Sequence, residues 1–369
     1  MINTKEFYDY LIKNKLSFFT GVPDSLLKNL CACIKENSKS TSNIIAANEG
    51  NAVGIASGYY LSTGKSAVVY MQNSGLGNIV NPILSLADEE VYGIPMLLVI
   101  GWRGEPGTKD EPQHVKQGKV TLSLLEAMGI EYLILDENYQ KQIKYCVNYM
   151  KKNSKPIAVI IKKGTFSDYK LEKEAPIYEL TREESLECIL NNLNDNDFVV
   201  STTGKTSREI FELREAKKQS HANDFLTVGS MGHTASIAFG MSLGTKKNIY
   251  CIDGDGSFLM HQGGFGVISK NCKKNFKYIL INNGAHESVG GQPTIGFDIK
   301  IDKLLKSVGF KKVIIAKTKE EINEGMKVLE KSKLSALIIY TKQGSRDDLG
   351  RPTTTPCQNK IDLMSKIKK

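Results

Sequence analysis

Gly254-Asp255-Gly256-Ser257 and Asn282-Asn283-Gly284 set a carboxylate and an amide at the ends of two short apolar runs, and both side chains offer the hard oxygen donors that magnesium takes. The first run, Asn248 to Ile252, reads as a buried strand. Ser257 to Ile268 then carries Phe258, Leu259, Phe265 and Ile268 at near-helical spacing, and Tyr278 to Ile281 reads as a second strand. A strand, helix, strand unit joins parallel strands by a right-handed crossover. Asp255 and Asn283 are therefore expected at one carboxyl edge, where open α/β sheets bind ligands. One Asp, one Asn, a backbone carbonyl and a diphosphate would complete an octahedral shell, with Gly254 and Gly256 letting backbone amides approach the diphosphate. Taken alone, Asp-Gly and Asn-Gly are also common turn dipeptides, so a second feature has to carry weight.

Asn48-Glu49-Gly50-Asn51-Ala52 is that feature. An apolar run, Ile44 to Ala47, ends at an acid that opens a small-residue helix through Ala56, Gly58 and Tyr59. A lone Glu in a first helical turn more often does no more than offset the macrodipole. Taken together, the two segments resemble the thiamine diphosphate-dependent 2-oxo acid decarboxylases, and the similarity spans nearly the whole chain. Phe19-Thr20-Gly21-Val22-Pro23-Asp24-Ser25, Gly101-Trp102-Arg103-Gly104-Glu105-Pro106-Gly107, Asp110-Glu111-Pro112-Gln113-His114 and His286-Glu287-Ser288-Val289-Gly290-Gly291-Gln292 resemble more closely the phosphonopyruvate decarboxylases of that family. Sulfopyruvate decarboxylases are the nearest relatives to exclude.

The resemblance implies an α/β fold of two parallel-sheet domains, a pyrimidine-binding domain over 1–165 and a diphosphate-binding domain over 185–369, joined by a linker over 166–184. There is no room for the central domain that larger members insert. It implies thiamine diphosphate and Mg2+ as cofactors, and a homodimer or higher homo-oligomer with the cofactor between subunits. The activity implied is decarboxylation of 3-phosphonopyruvate to phosphonoacetaldehyde. Sulfopyruvate decarboxylation, a carboligase and a non-catalytic cofactor-binding protein are the rival readings.

By the same resemblance Glu49 hydrogen-bonds the cofactor's aminopyrimidine ring, and a carboxylate shielded from water suits that task. Asp255, Asn283 and the main-chain carbonyl of Ala285 hold the metal, with Asn282 closing the turn. Met231, in Gly229-Ser230-Met231-Gly232, supports the bent cofactor from beneath. Gly204, Thr206, Ser207 and, more strongly, Ser257 are diphosphate contacts. Thr203-Gly204-Lys205-Thr206-Ser207 is no phosphate loop of a nucleotide triphosphatase, because position 199, where that motif needs glycine, is Val. Asp24, His114, His286 and Glu287 sit in loops used for proton transfer, whereas His221, His233 and His261 have weaker claims. A substrate with a carboxylate and a phosphonate needs a further cationic site, for which Arg103, Lys109, Arg346 and Arg351 are the candidates.

These residues need a frame. Apolar, β-rich runs recur at Ser17 to Phe19, Asn43 to Ala47, Ala67 to Met71, Met96 to Trp102, Tyr132 to Leu135 and Ile157 to Ile161. A like series follows at Phe198 to Ser201, Leu226 to Val228, Ile249 to Ile252, Tyr278 to Ile281, Val313 to Ala316 and Ala336 to Tyr340. Helical patterns lie between them, as parallel sheets require. The polar stretch Thr165 to Glu184, with Pro176, reads as the connection.

A chain of 369 residues supports two domains with separate cores. Seven cysteines without paired metal spacing fit a reduced, cytoplasmic protein. Met1 to Lys13 alternates polar and apolar residues without a signal-peptide core, and no apolar run approaches a membrane span. The net charge of +9 comes from scattered lysines with no nucleic-acid-binding signature, which points to a solvated surface that attracts anions. Lys366 to Lys369 reads as a frayed tail.

Overall fold

Fourteen strands organise the described residues. In the first half they are β1 (Phe19–Gly21), β2 (Asn43–Ile45), β3 (Ala67–Gln72), β4 (Met96–Gly101), β5 (Glu131–Ile134) and β6 (Ile157–Ile161). In the second they are β7 (Phe198–Ser201), β8 (Asp224–Leu226), β9 (Ile249–Gly254), β10 (Phe276–Asn282), β11 (Ala285–His286), β12 (Gln292–Pro293), β13 (Lys312–Ala316) and β14 (Ser335–Tyr340). The computed structural model describes residues 1–171 and 175–368. The chain divides into two compact units, Met1–Lys173 and Glu174–Lys369.

Each unit holds a six-stranded parallel sheet. The first runs β2-β1-β3-β4-β6-β5, and the second β13-β14-β10-β9-β7-β8. Counted in chain order within its own unit, each sheet has the same order, 2-1-3-4-6-5. The near-continuous apolar runs seen in sequence follow from helices covering both faces, so the central strands β3, β4, β9 and β10 are buried almost throughout, while the outer strands β2, β5 and β13 are partly exposed. Along β3, Val68 and Tyr70 enter one core while Ala67, Val69 and Met71 enter the other. Along β10, Phe276, Tyr278 and Leu280 face one layer and Ile279 and Ile281 the opposite one. Each such large side chain contributes about 1.5–3 kcal/mol when fully buried, so a charge placed at Val69 or Ile279 would break its sheet.

Register positions the chemistry. Ile281 of β10 pairs with Gly254 of β9, so Asp255 and the Asn282-Asn283 pair leave the sheet side by side. Asp255 does not end a loop but opens a short helix, Asp255–Met260.

Four local expectations are corrected. The helix expected over Ser257 to Ile268 is two, Asp255–Met260 and Gly264–Asn271, because Gly263 and Gly264 interrupt it. β8 begins at Asp224, two residues ahead of the expected run, where the Asp224 carboxylate meets Arg214 at 2.9 Å. Met1 to Lys13 contains a helix, Thr4–Lys13, capped by Asn3 and burying Thr4, Phe7, Tyr8 and Leu11 at helical spacing. The basic end is not frayed through Lys368: helix Pro356–Ile367 buries Leu363, and Lys369 lies outside the described residues. Of the stretch 166–184 read as a linker, residues 172–174 also lie outside them. Its ends are built into the units: Phe166 enters the first unit's core, Leu180 the second's, and Thr181 caps helix Arg182–Asn191 with a reciprocal Glu184 box.

Candidate active site

In the first unit the polar groups gather at the carboxyl ends of β1, β3 and β4 and at the helix that follows β2. That helix, Glu49–Thr63, starts where the Asn48 side chain accepts from the amide of Asn51 at 3.0 Å. Glu49 is nevertheless buried, unlike an acid that only offsets a dipole. Its carboxylate accepts from Asn78 Nδ2 at 2.7 Å and lies over Gly75, where a Cβ would stand 2.5 Å from the carboxyl group. Any larger residue at 75 would displace the acid.

Asp24 follows β1 and is fully buried, its Oδ2 accepting from the Leu26 amide at 3.0 Å. Burial raises its pKa to about 6 against the opposing pull of that amide and of Arg103. Arg103, after β4, donates through Nε to Asp110 at 2.8 Å, pairs with it again through Nη2, and donates through Nη1 to Ser25 Oγ at 2.7 Å. Asp110 is held far below the usual carboxylate range: burial alone would raise it, but Arg103 and the amides of Glu111 and Gly104 outweigh that. His114, in helix Pro112–Ala127, is buried, and desolvation followed by the Arg103 charge lowers its pKa, which keeps the ring neutral at neutral pH. Lys109 is exposed. Asn73, unmarked in the sequence reading, donates to the Arg103 carbonyl at 2.8 Å and to Thr121 Oγ1 at 2.9 Å, tying the β3 and β4 loops together. The signal for Asn73 and Asn78 was their place just after the β3 run.

In the second unit Asp255 and Asn283 are both buried and adjacent by register. Burial raises Asp255 to about 6, opposed by Thr294 and by backbone amides; all of these donors are neutral. Thr294 Oγ1 donates to Asp255 Oδ2, and the Asn282 side chain closes the turn by donating to the Gly296 carbonyl at 2.7 Å and accepting from the Gly284 amide at 3.2 Å. Asn283 Oδ1 accepts from the Ala285 amide at 3.2 Å. A carboxylate with only neutral donors, an amide oxygen beside it and a nearby main-chain carbonyl form the hard-oxygen set that magnesium fits. Gly256 keeps the approach open: a Cβ there would stand 2.9 Å from His286 Nδ1 and 3.0 Å from Met231 Cε. Met231, in the loop after β8, and His286, in β11, thus converge on the Asp255 turn. Desolvation pushes the His286 imidazole down to about 4.

Several expected contacts are recast by their partners. The Ser257 hydroxyl accepts from the Gly232 amide at 3.0 Å, joining the Met231 loop to the Asp255 helix. The Ser207 hydroxyl is turned inward to the carbonyls of Thr202 at 2.8 Å and Thr227 at 3.2 Å. Gly204, at φ 94°, precedes helix Lys205–Ala216, whose N-terminal amides at Thr206 and Ser207 remain an anion-favouring end. Glu287 pairs with Arg182 at 2.8 Å and Lys205 at 3.0 Å. Burial would raise it, but these two cations win and lower its pKa, so it holds no proton to give at neutral pH. Arg346 is bound by Glu183 and Asp348 at 2.9 Å and by Glu212, which pins the segment carrying it to two helices. Arg351 is exposed and follows Gly350, whose amide donates to Glu212 Oε1 at 2.6 Å. His221 bonds Glu215 and stacks on Phe211, and His233 and His261 lie 4.5 Å apart.

Residues 4–127 match the N-terminal TPP binding domain of thiamine pyrophosphate enzymes, and residues 202–340 match the C-terminal TPP binding domain. A phosphonopyruvate decarboxylase of Streptomyces viridochromogenes is 30% identical over 358 residues, 92% of this chain and 88% of its own. The chain belongs to the thiamine diphosphate-dependent 2-oxo acid decarboxylases. A phosphonopyruvate decarboxylase of Streptomyces hygroscopicus is 30% identical over 91% of this decarboxylase and 86% of its own length. A sulfopyruvate decarboxylase of Methanosarcina acetivorans is 27% identical over 88% of this chain and 87% of its own. The decarboxylase carries both TPP-binding domains and acts on a small 2-oxo acid. Among its described residues no helix is long and apolar enough to cross a membrane.

Proposed function

We propose that this decarboxylase converts 3-phosphonopyruvate to phosphonoacetaldehyde and carbon dioxide, leaving the carbon–phosphorus bond intact. The observation that carries the substrate is the end-to-end similarity to phosphonopyruvate decarboxylases at 30% identity, against 27% for the sulfopyruvate relative. Thiamine diphosphate, when bound, supplies the electron sink for the carbanion that loss of carbon dioxide leaves behind.

The chain's own residues have separable tasks. Glu49 would hold the pyrimidine ring. Asp255, Asn283 and the Ala285 carbonyl would hold magnesium, with Met231, Gly229, Gly254, Gly256 and the N-terminus of helix Lys205–Ala216 lining the cofactor's place. Asp24, with a pKa near 6, is suited to hold or release a proton close to working pH, and the neutral ring of His114 to accept or relay one. Arg103 keeps N–H donors beyond those given to Asp110 and Ser25, and with exposed Lys109 it would bind the substrate's anionic end.

The deciding test compares rates on phosphonopyruvate, sulfopyruvate and pyruvate with magnesium and thiamine diphosphate supplied. Faster turnover of sulfopyruvate would reassign the substrate, and the Methanosarcina relative makes that the second reading. The sulfonate carries one charge fewer near neutral pH, so the two differ in charge more than in shape. We propose a homodimer as the smallest active unit. Mixing inactive Glu49→Gln and Asp255→Ala chains should restore activity if each site draws on two copies, and should restore none if it draws on one.

A further inference from the structure

Glu287 stands at the centre of a buried network that the catalytic reading leaves without a task. Its Oε2 accepts from Asn283 Nδ2 at 2.8 Å and from Arg182 Nη1 at 2.8 Å, while Oε1 accepts from Lys205 Nζ at 3.0 Å. Arg182 is itself fixed by a two-pronged pair to Glu209, Nε to Oε2 at 2.7 Å and Nη2 to Oε1 at 2.6 Å. Glu209 and Arg182 are buried. Two cations from two helices therefore immobilise one carboxylate directly behind a residue assigned to magnesium.

An asparagine side chain has two ends of similar shape and opposite polarity. A carboxylate accepts only, so Glu287 admits the Asn283 NH2 and repels its oxygen. The amide oxygen is then turned to the side where the Ala285 amide meets it at 3.2 Å, within the turn whose carbonyl is the third expected ligand. Arg182 and Lys205 balance Glu209 and Glu287 charge for charge, so the cluster acts on its neighbour by direction more than by net field.

We propose that Glu287, held by Arg182 and Lys205, is the positioning residue that orients the Asn283 amide with its oxygen toward magnesium. The inference rests on the reading that Asp255 and Asn283 hold that ion. It assigns Glu287 no contact with substrate and no part in proton transfer.

Titrating the full-length protein with Mg2+, or with Mn2+ followed by electron paramagnetic resonance, in the presence of thiamine diphosphate tests it without recourse to turnover. Glu287→Gln should weaken metal affinity about 10–100-fold, the usual cost of losing an outer-sphere partner. Asn283→Asp should also weaken it, although a carboxylate is at least as good a ligand, because two carboxylates then face each other. The double variant Asn283→Asp with Glu287→Gln should recover affinity to within a few-fold of the parent, since the Gln amide donates where Glu accepted. If Asn283→Asp binds metal as tightly as the parent, or the double variant is no better than the singles, the positioning role is overturned. This holds even if Glu287→Gln alone fails to fold, because Asn283→Asp decides it independently. If Asn283→Ala leaves metal affinity unchanged, the metal reading itself fails.

Discussion

The two units place their functional loops after the same four strands of the same 2-1-3-4-6-5 sheet, yet furnish them in opposite ways. In the first, Asp24 follows strand one, Glu49 opens the helix after strand two, Asn73 follows strand three and Arg103 strand four. In the second, the corresponding places hold Gly204, the Met231 loop, Asp255 and Asn283. On the first edge Glu49 meets a neutral amide, and Asp24, desolvated to a pKa near 6, keeps its proton exchangeable near working pH. Behind Asn283 the second edge sets the Arg182, Glu209, Glu287 and Lys205 array, whose two cations hold Glu287 below the usual carboxylate range, although Asp255 beside Asn283 is raised by burial to about 6 as Asp24 is. On the proposed reading, one frame would serve proton chemistry at one edge and anchorage of a charged cofactor at the other.

The contrast breaks most sharply at Glu49. Glu49→Gln should lower kcat by about 10²–10⁴-fold, the range for losing a positioned acid or base, with an unchanged circular dichroism spectrum. A variant with full activity would remove the proton-handling role from the first edge. Asp255→Ala should act on the other side, abolishing magnesium-dependent retention of thiamine diphosphate in equilibrium dialysis while Glu49→Gln retains the cofactor. Equal cofactor loss in both would erase the distinction.

Asp24 sharpens it through pH. Its folded pKa, about 6, lies above the ordinary 3.8, so the folded state holds the proton more tightly and stability falls as pH rises between those values. Asp24→Asn should therefore stabilise the fold at pH 7 by on the order of 1–3 kcal/mol in urea melts, and by nothing below pH 3.8. A loss of stability at pH 7 would mean that the carboxylate is satisfied as an anion. The smallest effect is expected at exposed Arg346, already held by three acids. Arg346→Gln should leave KM within about twofold, as surface pairs generally allow, whereas Arg103→Gln should raise it more.

Much of this was legible in the sequence. Ten of the twelve strands of the two large sheets largely coincide with the apolar runs, because helices on both faces bury the central strands, whereas β1 shares only Phe19 and β8 only Leu226 with its expected run. Glu49, Asp255 and Asn283 could be placed at strand ends from turn residues and spacing alone. Roles that depend on what a side chain meets were hidden. Nothing in the order of residues shows that the Ser207 hydroxyl turns inward, that Thr294 folds back 39 positions to Asp255, or that Glu287 meets Arg182 from 105 positions away. The Thr4–Lys13 helix was masked by Tyr8 and Tyr10 beside Phe7, which give a local appearance of alternation.

Among the described residues no strand crosses from one six-stranded sheet to the other, and each of these sheets lies between its own two apolar layers. Synthesis from the amino end delivers every strand of the first sheet before β7 emerges, so that half is able to complete its long-range parallel pairing while the rest is still on the ribosome. Parallel pairing is slow and leaves apolar edges open while it proceeds. Vectorial birth of the chain therefore separates in time two sets of look-alike strands that, released together from denaturant, would compete as partners.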